Sequence, residues 1–399
     1  MTLPLRRELA RALPSRPFSV QFWDGSTLPA SVADAPSFAV RSPSAIAHVL
    51  RSPGQLGLGR AYVEGSLDAE DLDGAFAVVD EWTPPEIGAG QRLRVLGAAA
   101  LAAAGAPLAR RPALELVLRG ERHSRERDAE AVRYHYDAGN EFFALFLDES
   151  MTYSCALFSR GAQTLEEAQR AKHALVAGKL GLAAGQRVLD VGCGWGAFAI
   201  HAAREHGVEV LGVTLSREQA ELARVRVEEA RLAGRVEIRV ADYRDLRGEQ
   251  FDAIASIGMV EHVGERRIDE YAARLAGLLR PGGLLLNHGI AALRADDDAA
   301  GDEFTNRYVF PDGEPLYLSR VQLAIERAGL VSEHVEGFAE DYATTLAHWI
   351  RRLDDRLDDA QRLAGAERLR VWRLYLRGAR VGFQTGYTAV YQVLARRPS

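Results

Sequence analysis

Hydrophobic and polar positions alternate regularly through the second half of the chain. Short apolar runs of strand length recur at residues 188–191, 208–213, 236–240, 251–257 and 284–287. Segments with helical periodicity accompany them at residues 165–180, 197–203, 217–233 and 266–279. This alternation predicts a parallel β-sheet covered by helices on both faces, with a tight turn at residues 281–283 and a last strand at 387–394.

The first third of the chain has a different pattern. It predicts strands at residues 19–23 and 37–40, and helices at 44–50, 56–63 and 72–80. Thr83-Pro84-Pro85 then interrupts the pattern, because proline ends regular structure. We therefore predict a small α+β domain at residues 1–83, a helical linker at 84–128 and the main domain at 129–399.

Two aromatic or basic stretches flank the alternating segments. Residues 134–158 mix aromatic and apolar side chains with polar ones, which suits either an amphipathic helix over the core or an apolar substrate tunnel. Residues 351–380 hold nine arginines against five acids, which favours a surface helix first and an anionic-membrane contact second. Before the basic stretch we predict an acidic loop at 295–302, a helix at 319–328 with Ser319 as its N-cap, a strand at 331–335 and an apolar-periodic helix at 343–353.

Composition narrows the class of protein. The chain has 399 residues, of which 47% are hydrophobic and 26% charged, with a net charge of −6. This charge gives no global attraction to nucleic acid or to anionic membranes, so any such contact needs a local patch. Two cysteines suit a reducing cytosol, and neither a signal peptide nor a membrane span is predicted.

The stretch at residues 187–196 reads R-V-L-D-V-G-C-G-W-G. A buried strand containing Asp190 is followed by Gly192, Gly194 and Gly196 and then by a helix, so a ligand can approach the backbone and meet the free N–H groups of the helix start. The G-x-G-x-G spacing is one residue short of the dinucleotide fingerprint. It therefore favours the methionine carboxylate and ribose of S-adenosylmethionine over a nicotinamide cofactor.

Polar residues follow each later strand of the predicted sheet. Ligands of such sheets bind at the carboxyl ends of the strands, so these residues are the candidate site. Asp242 and Tyr243 suit the amine and ring of adenine. The candidates after the second to fifth strands are Thr214, Leu215 and Gln219, then Asp242 and Tyr243, then Glu261, then His288 and Ile290.

Several strings of residues occur together in a fixed order. They are His135-Tyr136-Asp137 with Gly139-Asn140, Tyr153-Ser154-Cys155-Ala156, residues 188–196, Gly212-Val213-Thr214-Leu215-Ser216 with Gln219, Asp242-Tyr243-Arg244-Asp245-Leu246, Met259-Val260-Glu261-His262-Val263-Gly264, Phe310-Pro311-Asp312-Gly313 and Asp341-Tyr342-Ala343-Thr344-Thr345-Leu346. This combination resembles the cyclopropane fatty-acid synthases, which include bacterial phospholipid enzymes and mycolic-acid cyclopropane synthases. The resemblance covers roughly residues 130–395, and the N-terminal unit looks like the extra domain of the longer bacterial members.

The resemblance implies a class I methyltransferase fold, a doubly wound, Rossmann-like α/β sheet, that uses S-adenosylmethionine. The substrate it implies is a cis double bond in an acyl chain of a membrane phospholipid, which becomes a cyclopropane fatty acid. In this family the alkene attacks the sulfonium methyl, a bound bicarbonate removes a proton, and the ring closes. The cofactor-binding residues expected on this basis are Tyr153, Ser154, Asp190, Gly192, Cys193, Gly194, Gly196, Thr214, Leu215, Gln219, Asp242 and Tyr243.

The resemblance also implies a bicarbonate site, whose ligands would be Cys155, Glu261, His288, the backbone of Ile290, and Tyr342. We expect Glu261 to orient the bicarbonate, and His288 and Tyr342 to hold it. The charge of bicarbonate beside Glu261 would be repulsive unless a proton is shared or His288 compensates. An alternative interpretation of Cys155 is a small buried residue that acts through its backbone. Cys193 is interpreted as a spacer in the glycine turn.

Three alternatives stay open at this point. The first is a fatty-acyl methyltransferase that stops at a methylene or methyl branch. The second is a small-amine N-methyltransferase, and the third is a non-catalytic protein that binds S-adenosylmethionine or lipid. For the favoured function we expect a cytoplasmic protein at the inner face of the cell membrane, with peripheral membrane contact, no nucleic-acid partner and a homodimer built through the N-terminal unit.

Overall fold

The computed structural model of the chain describes residues 2–106, 110–293 and 303–399. Its helices are α1 (Leu3–Ala12), α2 (Ser44–Arg51), α3 (Gln55–Glu64), α4 (Leu72–Glu81), α5 (Ala89–Ala103), α6 (Arg125–Tyr136), α7 (Asn140–Ala144), α8 (Leu165–Lys179), α9 (Ala197–His206), α10 (Arg217–Glu229), α11 (Ile268–Leu278), α12 (Glu303–Tyr308), α13 (Leu318–Arg327), α14 (Ala339–Asp354), α15 (Leu357–Ala364) and α16 (Ala366–Gln384). Its strands are β1 (Ser19–Phe22), β2 (Thr27–Leu28), β3 (Ser37–Val40), β4 (Leu67–Ala69), β5 (Arg187–Val191), β6 (Glu209–Thr214), β7 (Val236–Val240), β8 (Phe251–Ile257), β9 (Leu279–Ala292), β10 (Leu316–Tyr317), β11 (Val331–Gly337) and β12 (Thr388–Arg396). The predicted acidic loop at 295–302 lies entirely outside the described residues.

The packing of the chain defines two compact units. The first combines Met1–Val117 with two later segments, Asp302–Val309 and Gly365–Val381. Its sheet has the strand order β2-β1-β3-β4, in which β1 and β3 are parallel, and α1, α2 and α5 complete its apolar core. The predicted domain boundaries at residues 83 and 128 say which segments fold independently. The packing of the folded chain does not test independent folding, so these boundaries stay a prediction.

The second unit contains a mixed sheet with the strand order β11-β12-β9-β8-β5-β6-β7. The short strand β10 also belongs to this sheet and pairs with β9. Strands β5 to β9 pair in parallel, whereas β12 runs antiparallel to both β9 and β11. Side chains of α8, α9 and α10 pack on one face of the sheet, and those of α11 and α13 pack on the other. The predicted doubly wound α/β sheet is confirmed, and the last strand, predicted from its apolar pattern, is the antiparallel one.

Some predicted boundaries in this unit are wrong. The turn expected at residues 281–283 lies inside β9, because β9 keeps pairing with the end of β12: Gly282 N–H donates to the Arg397 carbonyl at 2.9 Å. Ser319 is not an N-cap, since α13 begins at Leu318 directly after β10. The helix expected over residues 217–233 ends earlier, at Glu229.

Residues 134–158 do not form one amphipathic helix. The end of α6 and the short α7 are separated by Gly139, whose φ of +85° breaks the helix, and the chain from 145 to 164 is non-helical. The aromatic side chains of this stretch instead pack against one another. Phe143 lies 5.5 Å from Tyr153 and 5.2 Å from Trp195, between ring centroids.

The part of the basic stretch that lies in α16 belongs to the first unit, where Arg370, Arg377 and Arg380 are engaged and do not form the solvated face that the prediction expected. Arg377 is 3% exposed, and its guanidinium and that of Arg380 lie 3.2 and 2.6 Å from Asp73. Arg370 donates to the Leu67 carbonyl at 2.8 Å. The arginine stems pack as apolar chains while their charged ends meet acids of the same unit. No helix in the described parts of the chain is long and apolar enough to cross a bilayer.

Candidate active site

The glycine turn closes tightly at the end of β5. Gly192, Gly194 and Gly196 have φ values of +74°, +52° and +80°, a backbone region that favours glycine. The N–H groups of Gly192 and Cys193 both donate to the Val213 carbonyl, at 2.9 and 3.0 Å. These bonds hold the turn against the end of β6. A Cβ at Gly192 would lie 2.5 Å from the Met259 side chain. The turn is therefore fixed both by its backbone conformation and by the loop after β8.

Cys193 occupies the interior side of this turn. It is 7% exposed, and a Cβ at Gly212 would come within 3.0 Å of its Sγ atom. The side chain fills the space beside β6, as a spacer would. Burial raises the pKa of its thiol well above the usual value, so the thiol is protonated at neutral pH.

The loop after β6 presents a polar amide. The Thr214 hydroxyl donates to Gln219 Oε1 at 2.8 Å, and the buried Gln219 Nε2 has no hydrogen-bond partner within the described ranges. Leu215 is half-buried in the same loop. Asp190, at the opposite side of the turn, is 2% exposed, and burial raises the pKa of its carboxyl to about 7. These groups lie around the turn where the sequence predicts the cofactor.

Asp242 and Tyr243 have structural partners in the loop after β7. Asp242 caps the single turn Tyr243–Asp245 and binds the Arg244 guanidinium at 2.7 Å. The Tyr243 ring packs edge-on against Tyr271, with 5.6 Å between centroids. Their predicted contacts with adenine stay a prediction.

Three buried polar side chains of α8 hold the segment that carries Tyr153, Ser154 and Cys155. Gln169 Nε2 donates to the Ser154 carbonyl, and Lys172 Nζ to the Ser154 hydroxyl, both at 2.9 Å. His173 Nε2 lies 3.0 Å from the hydroxyl of Thr152. The Tyr153 ring stacks on Trp349 with 5.2 Å between centroids.

Phe338 connects the predicted anion ligands on one side of the site. Its carbonyl accepts the Tyr342 N–H at 3.0 Å and lies 3.7 Å from the Cys155 thiol. Its ring is nearly parallel to that of His288, with 6.4 Å between centroids and 13° between planes. Burial raises the pKa of Cys155 well above the usual range, so its thiol is protonated and points to backbone carbonyls.

Glu261 and His288 both lie beside the end of β9. Glu261 Oε1 accepts the Ile290 N–H at 2.7 Å, and the Gly258 N–H donates to the His288 carbonyl at 2.8 Å. Glu261 Oε2 and His288 Nε2 are buried and have no hydrogen-bond partner among the residues the structure describes. Through these contacts and Phe338, the structure brings together Cys155, Glu261, His288, Ile290 and Tyr342.

The protonation states at this site follow from burial. Burial raises the pKa of Glu261 to about 7 and, with Lys172 nearby, lowers that of His288 to about 3. Without a neighbouring anion, His288 is therefore neutral at physiological pH. Of the two alternatives, proton sharing at Glu261 is the one that these pKa values favour.

The polar residues behind the site were missed, although the sequence carries a signal for them. Gln169, Lys172 and His173 fall on the face of the periodic segment that also carries Leu165 and Val176. The chain has only two lysines among its 49 basic residues, Lys172 and Lys179, and both belong to α8. Lysine differs from arginine in having a compact ammonium on a flexible stem, so two lysines in one helix of an arginine-rich chain are a signal.

Comparison with known proteins identifies the family. The family model described as mycolic acid cyclopropane synthetase matches residues 123–393, more than half of the chain. The chain belongs to this family. A probable fatty acid methyltransferase of Pseudomonas putida is 39% identical over 397 residues, covering 96% of this chain and 92% of that protein. The cyclopropane-fatty-acyl-phospholipid synthase of Escherichia coli strain K12 is 37% identical over 313 residues, covering 78% and 75% of the two chains.

A solved structure of the same family supports the fold. The mycolic acid cyclopropane synthase CmaA1, complexed with SAH and CTAB, matches with a TM-score of 0.64 and 34% identity, over 67% of this chain and 98% of that one. The second unit therefore has the class I fold of the S-adenosylmethionine-dependent methyltransferases. Family and fold confirm both the resemblance and the fold class predicted from the sequence.

Proposed function

We propose that this protein transfers a methylene group from S-adenosylmethionine across a cis double bond of an unsaturated acyl chain in membrane phospholipid, forming a cyclopropane fatty acid. The observation that carries the proposal is the pair of buried, unpartnered atoms Glu261 Oε2 and His288 Nε2 in a family of cyclopropane synthases. Buried polar atoms without partners are costly, so such a pair points to a bound polar ligand.

The cofactor half of the site consists of the glycine turn and the residues around it. S-adenosylmethionine, when bound, supplies the methyl carbon. We assign its carboxylate and ribose to the turn at Gly192–Gly196 and to the unpartnered Gln219 amide, and its adenine to Asp242 and Tyr243. The free N–H groups at the start of α9 favour the carboxylate.

The anion half of the site fits bicarbonate. Bicarbonate has oxygens that accept hydrogen bonds and a hydroxyl that donates one, and the site offers a carboxyl oxygen at Glu261 and a ring nitrogen at His288. Cys155, Tyr342 and the Ile290 backbone complete the ligand set that we propose. When bound, bicarbonate supplies the base that accepts the proton lost as the ring closes.

The chain's own residues must also protect the positive charge that develops on the acyl chain. We assign the balancing of that charge to the Glu261 carboxyl. The faces of Tyr342 and Phe383, 4.5 Å apart, add π-electron density. Cys155 is no competing nucleophile, because its thiol is protonated and directed at carbonyl oxygens. Burial of these groups keeps out water, which would otherwise trap the cation.

A fatty-acyl methyltransferase that leaves a methyl or methylene branch is the second candidate. The similarity to a probable fatty acid methyltransferase over 96% of this chain favours it. Both functions need the same cofactor and the same alkene. They differ in whether the added carbon closes a ring.

Lipid analysis of a host that lacks such an enzyme separates the candidates. We expect expression of the chain to produce a cyclopropane acyl chain, identified by proton NMR because an exocyclic methylene has the same mass. With methyl-deuterated cofactor, the product should lose a deuteron, whereas a methyl branch formed without deprotonation keeps all of them. Olefinic methylene protons, or a fully deuterated methyl branch, would contradict the proposal.

We also propose peripheral contact with the inner face of the cell membrane and a homodimer. The contact is expected because the substrate lies in the bilayer, although Arg370, Arg377 and Arg380 are already engaged in the first unit. Anionic vesicles should bind the protein more strongly at low than at high salt. Binding that ignores both salt and anionic lipid would contradict an electrostatic contact, and sedimentation equilibrium tests the dimer.

A further inference from the structure

A row of polar side chains crosses three strands beside the anion site. Glu336 on β11 is opposite Gln392 on β12, and Gln392 is opposite His288 on β9. Gln392 Nε2 lies 3.1 Å from His288 Nδ1. The Lys179 ammonium, at the end of α8, closes the row, because its Nζ lies 2.7 Å from Gln392 Oε1 and 2.6 Å from Glu336 Oε2.

Lys179 fixes the orientation of the Gln392 amide. An ammonium group donates hydrogen bonds and cannot accept them, so the amide atom that faces it must be the oxygen. The amide nitrogen then faces His288 Nδ1 and donates to it. Glu336, and Phe338, whose ring centroid lies 5.3 Å from Lys179 Nζ, hold the ammonium in place.

The hydrogen bond from Gln392 decides the tautomer of His288. A neutral imidazole has one donor and one acceptor nitrogen, so an Nδ1 that accepts leaves the proton on Nε2. His288 is 2% exposed and neutral, and its Nε2 is the buried atom without a partner in the described chain. The row therefore delivers one N–H donor to the anion site.

We propose that Gln392 and Lys179 are positioning residues that hold His288 as an Nε2–H donor, so that His288 binds an anion oxygen and does not act as the base. This inference rests on the proposed function, in which bicarbonate occupies the site. The roles then differ: bicarbonate is the base, Glu261 orients it, and His288 donates a hydrogen bond to it. No proton needs to enter or leave His288 during the reaction.

Gln392→Glu tests the inference with a side chain of the same shape. One carboxylate oxygen would keep the Lys179 contact and the other would face Nδ1, so the proton is expected on Nδ1 and Nε2 loses its donor role. Nitrogen-15 NMR of histidine-labelled protein, with His288 assigned by difference from His288→Asn, reads the tautomer directly. We expect the bicarbonate concentration for half-maximal rate to rise about tenfold or more, with a smaller change in kcat at saturating bicarbonate.

Two further variants separate positioning from general damage to β11 and β12. Lys179→Met should let the amide rotate and give a mixture of the two neutral tautomers. Arg160→Met is the matched control, because the exposed Arg160 donates to Glu336 at 2.9 Å and has no hydrogen bond to Gln392 among the residues that the structure describes. The control should keep the wild-type tautomer and bicarbonate dependence.

The outcomes are distinct. An Nδ1–H tautomer in the wild-type protein, or a Gln392→Glu variant with unchanged tautomer or unchanged bicarbonate dependence, would overturn the inference. The tautomer and carbon-13 bicarbonate binding are measured without lipid. A protein that shows the expected tautomers and bicarbonate binding but makes no cyclopropane would therefore count against the proposed function and support the positioning role.

Discussion

Glu261 and Asp190 share an uncommon combination of properties. Asp190 is buried and Glu261 half-buried, one buried oxygen of each has no partner in the described part of the chain, and burial raises each pKa to about 7. The two groups lie at different halves of the site, one beside the predicted bicarbonate and the other at the predicted cofactor. Such residues lower the stability of the folded state, because it must hold a carboxyl that would ionise freely in water. We interpret this cost as a sign of function.

Glu261→Gln is expected to remove activity and to stabilise the protein above pH 7. Because the folded pKa lies above the ordinary 4.5, the folded state binds more protons than the unfolded state between pH 4.5 and 7. Stability is therefore lost as the pH rises through this window, by up to about 3 kcal/mol. Glutamine does not titrate, so its advantage in urea unfolding should be larger at pH 8 than at pH 5. A variant that retains wild-type turnover would contradict the proposed role of Glu261.

Gly192→Ala is expected to weaken cofactor binding more than a matched glycine substitution. Gly192 and Gly185 both have positive φ, +74° and +85°, so alanine at either position should cost about 1 kcal/mol in backbone strain. Only at Gly192 does the new Cβ meet a side chain, Met259 at 2.5 Å, whereas nothing lies within 4 Å at Gly185. Calorimetric titration with S-adenosylmethionine should show the loss for Gly192→Ala alone. Equal losses for the two variants would refute a role for the close approach.

At the scale of elements, α8 acts as a polar support behind the site. Its buried face carries Gln169, Lys172 and His173 among apolar residues, and these three side chains hold the loop with Tyr153 to Cys155. From α14, Asp341 holds the following residues, since its carboxylate accepts the Ser159 N–H at 2.8 Å. Two helices thus fix a segment that has no regular structure of its own.

Lys172→Met and Ser154→Ala should have opposite effects on stability. Burial lowers the pKa of Lys172 to about 8. Below this pH the folded state contains a buried ammonium, which lowers its stability and which methionine lacks. We expect Lys172→Met to be at least as stable as the wild type at pH 7, with the difference shrinking as the pH rises through 8 and the wild-type lysine loses its proton. Ser154→Ala removes the 2.9 Å partner and leaves the ammonium buried, which should destabilise the fold by about 1–3 kcal/mol. Thermal unfolding of both variants checks the order, and a reversed order would contradict it.

At the scale of the whole molecule, the first unit is assembled from segments far apart in the sequence. Glu115, whose side chain is fully buried, lies 2.7 Å from Arg60 and 3.0 Å from Arg307, and Tyr308 donates to it at 3.1 Å. Burial opposes ionisation, but the hydrogen bonds from Arg60 prevail and the pKa of Glu115 is lowered. This cluster ties the N-terminal segment to α12 within the unit.

Glu115→Gln is expected to destabilise the first unit strongly. Removal of the charge leaves the buried Arg60 guanidinium without its counter-charge, which costs about 3–5 kcal/mol. Since the folded pKa is depressed, the wild-type contribution is present above the ordinary value of 4.5 and lost as the pH falls through the folded pKa. Proteolysis in urea at pH 7 should cut the variant first within this unit. Indistinguishable unfolding of variant and wild type would show that the cluster contributes nothing.

Local pattern along the chain was enough to predict the features that short segments encode. Alternating apolar runs define β5 to β9 and their helices, and the glycine spacing defines the cofactor turn, because periodicity and backbone conformation are properties of short segments. The fixed order of motifs also indicated Cys155, Glu261, His288 and Tyr342. The turn predicted at residues 281–283 was wrong. Pairing with β12, more than a hundred residues away in the chain, extends β9 through these residues.

The chemistry of the individual groups could not be predicted without the folded arrangement. Whether His288 is charged, and which of its nitrogens carries the proton, depends on its burial and on Gln392 and Lys179, which come from other elements. The engagement of the arginines of α16 likewise depends on acids of the first unit. Protonation, tautomer and ion pairing are set by neighbours in space, and no pattern within a short segment contains those neighbours.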